Sequence, residues 1–257
     1  MRIRLPKPMH GWRAFSGEVG VIVLGVLIAL GASQLVEDWQ WRVQMKREKN
    51  VFQNELVNTF GNAYLRLAAR PCLDNRLQEI TERLNQPGTR WRAMPDKLDF
   101  GEGQKDSPKP YNPPFVGSTI LSEGWSNALA NGAVNHLPIE TALHLARVYA
   151  GGNRLQDEEQ HEEQAAARLA PLALDRELSA DSRIRMLQDV AELQRINNRI
   201  AVVSGQIFIN FFGAGLGYTW QDMRDIWKIG VDSERSIRGS CVTEPEAPTI
   251  DGRPVGQ

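Results

Sequence analysis

Two cysteines, four histidines and one dense acidic run hold most of the chemistry that this sequence could perform. Within Asp157-Glu158-Glu159-Gln160-His161-Glu162-Glu163, Glu158 and His161 stand in an E-x-x-H spacing. On a helix that spacing puts a carboxylate and an imidazole on one face, as in di-iron bundles. Such a site also needs a second E-x-x-H and two further inward carboxylates. No second copy is present, since Glu140 and His144 are four apart. The run therefore reads as a solvated acidic helix face, with Glu158 and His161 as its metal candidates if there is a metal. His136, before Leu137-Pro138, reads as a turn or cap residue. The chain has no G-x-S-x-G, P-loop, H-E-x-x-H or dinucleotide fingerprint, and Ser, His and Asp show no local arrangement that suggests a triad. The expectation is a protein that is not an enzyme and that carries no cofactor.

Cys72 and Cys241 lie far apart and neither sits in a C-x-x-C motif. In an oxidising compartment such a pair is a candidate disulfide, which would tie the C-terminal segment to the first helices. Two separate thiols are the alternative.

What would position these residues begins with Val19 to Val36, VGVIVLGVLIALGASQLV, a stretch of 18 residues without a charge. As a helix it covers about 27 Å, close to the roughly 30 Å hydrocarbon core of a bilayer. Arg2, Arg4, Lys7 and Arg13 precede it with no acidic residue among them, which keeps the N-terminal tail and His10 in the cytoplasm and exports the rest. Arg42, Lys46, Arg47 and Lys49 on the far side weaken that asymmetry. Trp12 and Phe15 before the run, and Trp39 and Trp41 after it, fit the aromatic belts of a spanning helix. A cleaved signal peptide is the rival, with Ala29-Leu30-Gly31 as its small-residue site, but the apolar run exceeds the roughly 7–15 residues of an ordinary signal core. Gly25, Ala29 and Ser33 recur every fourth residue and form a small-residue stripe on which a second membrane helix could pack.

The remaining chain reads as helices in sequence. A tail of residues 1–11 precedes a membrane helix over 12–36, and the pattern runs on as a stalk and second helix over 37–86. Phe52, Leu56, Phe60, Ala63 and Leu67 share one face of the stalk, Pro71 is expected to break or kink it, and Leu73, Leu77, Ile80 and Leu84 follow. Residues 87–117 form a Pro-rich irregular connection whose aromatic residues, Trp91, Phe100, Tyr111 and Phe115, are expected to pack onto the helices rather than bind a partner.

A helical bundle over 118–230 comes next. Its first helix runs from Ser118 to Asn131 with Ile120, Leu121, Trp125 and Leu129 as an apolar face. The next follows Pro138 with Ile139, Ala142, Leu143, Ala146 and Tyr149 and meets Gly151-Gly152. Ser179 to Ser182 offers N-caps to the longest helix, whose seam runs from Ile184 to Phe211 in threes and fours. Thr219-Trp220-Gln221-Asp222 reads as a capping box. Residues 231–257 are a polar tail, the last dozen of them expected to be disordered. The absence of charge between Arg199 and Asp222 admits a second membrane span, against which stand Ser204, Gln206, Asn210 and the glycines at 213, 215 and 217.

A formal net charge of −1 without a long basic run argues against nucleic acid. The segments GWRAFSGEVGVIVLGVLIALGASQLVEDWQWR and LSEGWSNALANGAVNHLP, the latter followed by Val148-Tyr149, resemble two regions of a group of uncharacterised single-pass proteobacterial inner-membrane proteins. The resemblance covers about a third of the chain and implies a bitopic protein with a helical extracytoplasmic domain. It brings no activity and no site residues. The reading is an all-α fold, one membrane helix continuing into a stalk and an irregular bundle, and a non-enzymatic interaction or scaffold role at the bacterial inner membrane, as a homodimer or with a membrane-protein partner. A periplasmic ligand or metal sensor acting through a membrane partner is the alternative.

Overall fold

The computed structural model describes residues 12–94, 109–113, 122–250, 252–254 and 256. Among them five α-helices carry an all-α fold: α1 (Trp12–Leu84), α2 (Glu123–Ala130), α3 (Ile139–Arg168), α4 (Ala180–Gly213) and α5 (Trp220–Arg238). Strands are two-residue pieces, β1 (Arg90–Trp91) antiparallel to β2 (Arg176–Glu177) and β3 (Thr249–Ile250) antiparallel to β4 (Arg253–Pro254). The chain forms two compact units, Met1–Lys49 and Asn50–Gln257. The tail of residues 1–11 and the aromatic residues Phe100 and Phe115 lie outside the described residues, as do Ile120 and Leu121.

In the first unit α1 is the described element, and every described side chain from Val19 to Val36 is exposed. No other described helix is long and apolar enough to cross a membrane. Gly25, Ala29 and Ser33 are open, with nothing within 4 Å of the place where a Cβ on Gly25 would stand. Trp39 is exposed and Trp41 half-buried, while Trp12 lies in the first turn with its side chain outside the description.

In the second unit three helices share one rule, alternating steps of four and three that put one stripe on a common axis. On α1 the stripe is Phe52, Leu56, Thr59, Ala63 and Arg66, then Leu73, Leu77, Ile80 and Leu84, all buried. On α3 it is Val148, Gly152, Leu155, Glu159, Glu162 and Ala166, and on α4 Val190, Leu193, Asn197, Ile200, Ser204, Ile207 and Phe211. Helices α3 and α4 run antiparallel, since His144 meets Asn210, Gly151 abuts Ile207, Glu158 holds Arg199 and Arg168 holds Asp189. Each aliphatic side chain removed from water along these stripes contributes about 1.5–3 kcal/mol. An aromatic knot closes one end of the core: Phe60 lies 4.4 Å from Phe208 and 5.0 Å from Phe211, with Trp220 edge-on at 5.7 Å.

Several expectations are corrected by this packing. Pro71 does not end α1, which runs on to Leu84; buried Ala68, Ala69, Leu73 and Leu77 flank it closely and offset the one hydrogen bond that a proline removes. Gly151-Gly152 does not stop α3 either, because a Cβ on Gly151 would fall 2.9 Å from Ile207 Cγ1 and the glycine instead lets α3 and α4 approach. The α3 face is Leu145, Val148, Tyr149 and Gly152, while Ile139 and Leu143 are exposed. Helix α2 starts only at Glu123 and buries Gly124 and Ala128, leaving Leu129 exposed. At the start of α4, Met186 is buried in place of Ile184.

The charge-free end of α4 is core: Val203, Ile207, Phe208 and Phe211 are at most 3% exposed. Of its polar residues, Gln206 is exposed, Ser204 is buried, and Asn210 is bonded to His144 at 3.0 Å and to the Gln206 carbonyl at 2.7 Å. The C-terminal segment is ordered where it is described. Helix α5 continues through Gly230 to Arg238, Val231 and Val242 are buried, Thr243 donates to the Ala68 carbonyl and Trp220 donates to that of Gly256. In the Pro-rich connection, Trp91 and Tyr111 are buried as expected; Trp91 Nε1 donates to Leu172, and Arg76 bonds the carbonyls of Met94 and Pro110.

Helix α5 packs on α1 through a glycine, with the Trp227 ring over Gly61 so closely that a Cβ there would fall 1.9 Å from ring carbon Cζ2. Alanine gains up to about 1 kcal/mol of helix propensity over glycine, but the displaced indole costs more. Gly61→Ala is therefore expected to destabilise the domain by a net of about 1–2 kcal/mol, read from denaturant unfolding, although a propensity scale predicts the opposite sign.

Candidate functional site

Each of the three long helices places a polar residue on its stripe at one level. Arg66 of α1, Glu162 of α3 and Asn197 of α4 meet there and are joined by Tyr111 from the 109–113 segment. None is more than 2% exposed. Arg66 Nη2 bonds Glu162 Oε1 and donates to Asn197 Oδ1 at 2.6 Å. The Tyr111 hydroxyl donates to Glu162 Oε1 at 2.6 Å and accepts from Asn197 Nδ2 at 3.0 Å. Burial works against the Arg66 charge, but Glu162, Tyr111 and Glu159 outweigh it and raise the guanidinium above its ordinary value. Burial first, then the Glu162 charge, pushes the Tyr111 hydroxyl far above the tyrosine range. Tyr111 is therefore a fixed donor, not an acid.

The acidic run is thus only in part a solvated face, with Asp157, Gln160 and Glu163 exposed. Glu162 is interior and Glu158 takes a two-oxygen bond from Arg199 at 2.7–2.9 Å. His161 is exposed, and among the described residues no group of three or more His, Cys, Asp or Glu is placed to hold a metal ion. The E-x-x-H pair does not form a metal group, because the Glu158 carboxylate is engaged by Arg199 of α4 and His161 is exposed.

A second buried carboxylate organises α2. Glu55 accepts from the Gly124 amide at 2.8 Å and from the Tyr149 hydroxyl at 2.6 Å. Trp125 stacks on Tyr149 with ring centres 5.4 Å apart, and a Cβ on Gly124 would fall 2.5 Å from Val51. Burial, then the hydrogen bond and charge of Glu55, hold the Tyr149 hydroxyl well above its usual range. The Gly-Trp pair is the point at which α2 docks on α1. Tyr149→Phe leaves one Glu55 oxygen without its donor, so it is expected to cost about 1–3 kcal/mol in thermal unfolding while Tyr218→Phe, half-buried elsewhere, costs less.

Cys72 and Cys241 meet, S–S 2.09 Å and Cα–Cα 5.1 Å, which joins the segment after α5 to α1. No protein-family model, curated protein or solved structure matches the chain. The residues at the polar centre escape a hydrophobic-pattern reading because that pattern skips charged positions. One signal was present: Arg66 and Glu162 stand where the four-three alternation calls for an apolar side chain. What this arrangement can do chemically is hold helices in register and hold charge in a dry interior.

Proposed function

We propose that this is a membrane-anchored, non-enzymatic interaction or scaffold protein of the bacterial inner membrane, with its helical domain in the periplasm. The observation that carries the reading is the apolar run of α1, exposed from Val19 to Val36, beside a domain whose strongest chemical groups are spent on its own packing. An exposed apolar helix of this length needs lipid or other helices around it. The basic residues before the run favour a cytoplasmic N-terminus, and an intrachain disulfide in the larger unit suits an oxidising compartment. Nothing favours the sensor alternative, since Glu158 is held by Arg199 and His161 stands apart from it.

Crosslinking in intact membranes, followed by purification in mild detergent and mass spectrometry, tests the proposal. A self-associated form or a stable partner is the expected result; recovery of the chain alone overturns it. If the partner is a second copy docked along Gly25, Ala29 and Ser33, Ala29→Ile weakens the crosslink. A mature N-terminus near residue 32, or a C-terminal reporter active only in the cytoplasm, overturns the membrane arrangement.

A further inference from the structure

We propose that Glu159 and Glu162, facing the single guanidinium of Arg66, form a proton-binding site through which the packing of α3 on α1 responds to pH. Two carboxylates and one cation share this interior, so it is neutral only when one carboxyl carries a proton. The hydrogen bonds decide which one. Glu162 accepts from both Arg66 and Tyr111 and is solvated as an anion by them. Glu159, one turn earlier on the same stripe, is half-buried, makes no ion pair among the described residues, and has its Oε1 buried with no hydrogen-bond partner.

The charges that act on this carboxyl are those of Arg66 and Glu162, and the other polar groups on the elements around it are already committed. Helix α1 brings Arg66; the 109–113 segment brings Tyr111, which stays protonated. Helix α4 brings Asn197, which is uncharged, and Arg199, already taken by Glu158. Arg70 of α1 is occupied by Asp74 and Asn198. Among the described residues no second cation is therefore in place to balance a second anion. Burial, opposed by the Arg66 charge and reinforced by that of Glu162, pushes Glu159 up to about 7. The folded-state value lies above the unfolded one, so the folded chain holds the extra proton between about pH 4.5 and 7. The stability it confers is complete below that window and is lost as pH rises through it.

The test is thermal unfolding of the full chain in mild detergent at pH 6 and pH 8, wild type beside Glu159→Gln, with the exposed Glu163→Gln as control. The wild type and the control are expected to melt about 3 °C or more lower at pH 8 than at pH 6. Glu159→Gln is expected to lose most of that difference and to melt above the wild type at pH 8. Equal pH dependence in wild type and Glu159→Gln overturns the proposal. Should Glu159→Gln fail to fold, hydrogen exchange of the wild type decides. Corrected for the intrinsic rate, protection over residues 155–166 is expected to fall severalfold from pH 6 to pH 8, and unchanged protection is the overturning result.

Discussion

Replacing Arg66 by alanine is expected to cost the domain about 3–5 kcal/mol, a fall in Tm of roughly 6–20 °C, the largest effect of any single side chain outside the disulfide. The size follows from what remains behind. Arg66 is 2% exposed and Glu162 1%, so truncation leaves a carboxylate in a dry interior with only the Tyr111 hydroxyl to solvate it. It also leaves Glu159 without the one cation beside it. A surface pair such as Arg235 with Asp232 makes the contrast, since both partners there are more than 40% exposed and its loss is expected to cost less than about 1 kcal/mol. The informative variant is the double one. Arg66→Met with Glu162→Leu removes both charges and keeps volume, while Asn197 and Tyr111 stay bonded to each other at 3.0 Å. It is expected to recover most of the loss, because a buried ion pair contributes little net stability over apolar side chains of similar shape. If the double variant is as unstable as Arg66→Ala, the hydrogen-bonded ion pair itself stabilises the centre and apolar side chains of similar volume do not replace it. Chemical denaturation of the wild type and both variants, read by circular dichroism, separates the two cases.

Loss of the Cys72–Cys241 bond is the second large effect. The bond closes 169 residues of chain, nearly the whole second unit, and in the chain-entropy view a loop of that size contributes about 5 kcal/mol. Engineered losses usually fall in the range of roughly 2–5 kcal/mol. Local contacts next to it limit what is freed: Thr243 still donates to the Ala68 carbonyl and Arg224 still pairs with Glu244. The double variant Cys72→Ala with Cys241→Ala is therefore expected to lower Tm by about 5–15 °C and to make the segment after Arg238 the first cleaved by protease. Mobility on non-reducing gels of protein trapped directly from cells gives the companion measurement. The proposed export predicts that the oxidised form predominates, and a wholly reduced population would argue against export.

Part of this architecture is legible without coordinates. The apolar run, the Ser179 cap and the Thr219–Asp222 capping box follow from local rules, because caps and amphipathic spacing depend on neighbours a few residues away, whereas α5 runs past Gly230 to Arg238 and the Cys72–Cys241 bond joins residues 169 apart. The elements misread share one feature: a distant partner overrides the local signal. Pro71 and Gly151-Gly152 read as breaks, yet both lie within helices whose neighbours hold them. For the uncharged stretch from Arg199 to Asp222, the polar residues and glycines within it argue for core over lipid, and Phe60 and His144 bear this out by packing on Phe208 and bonding Asn210.

What the sequence determined by itself is local periodicity: an uncharged helix-length run, and stripes in steps of four and three on α1 and α4, while the α3 stripe and its run through Gly151-Gly152 emerge only from the packing. Only the tertiary structure decided that Arg66, Glu162, Asn197 and Tyr111 stand at one level, and that an acidic run written like a surface turns Glu159 and Glu162 inward. The reason is physical. Helical spacing fixes which residues share a face, but whether a charge on that face is buried depends on a counter-charge contributed by another helix about a hundred residues away, and a local pattern carries no record of it.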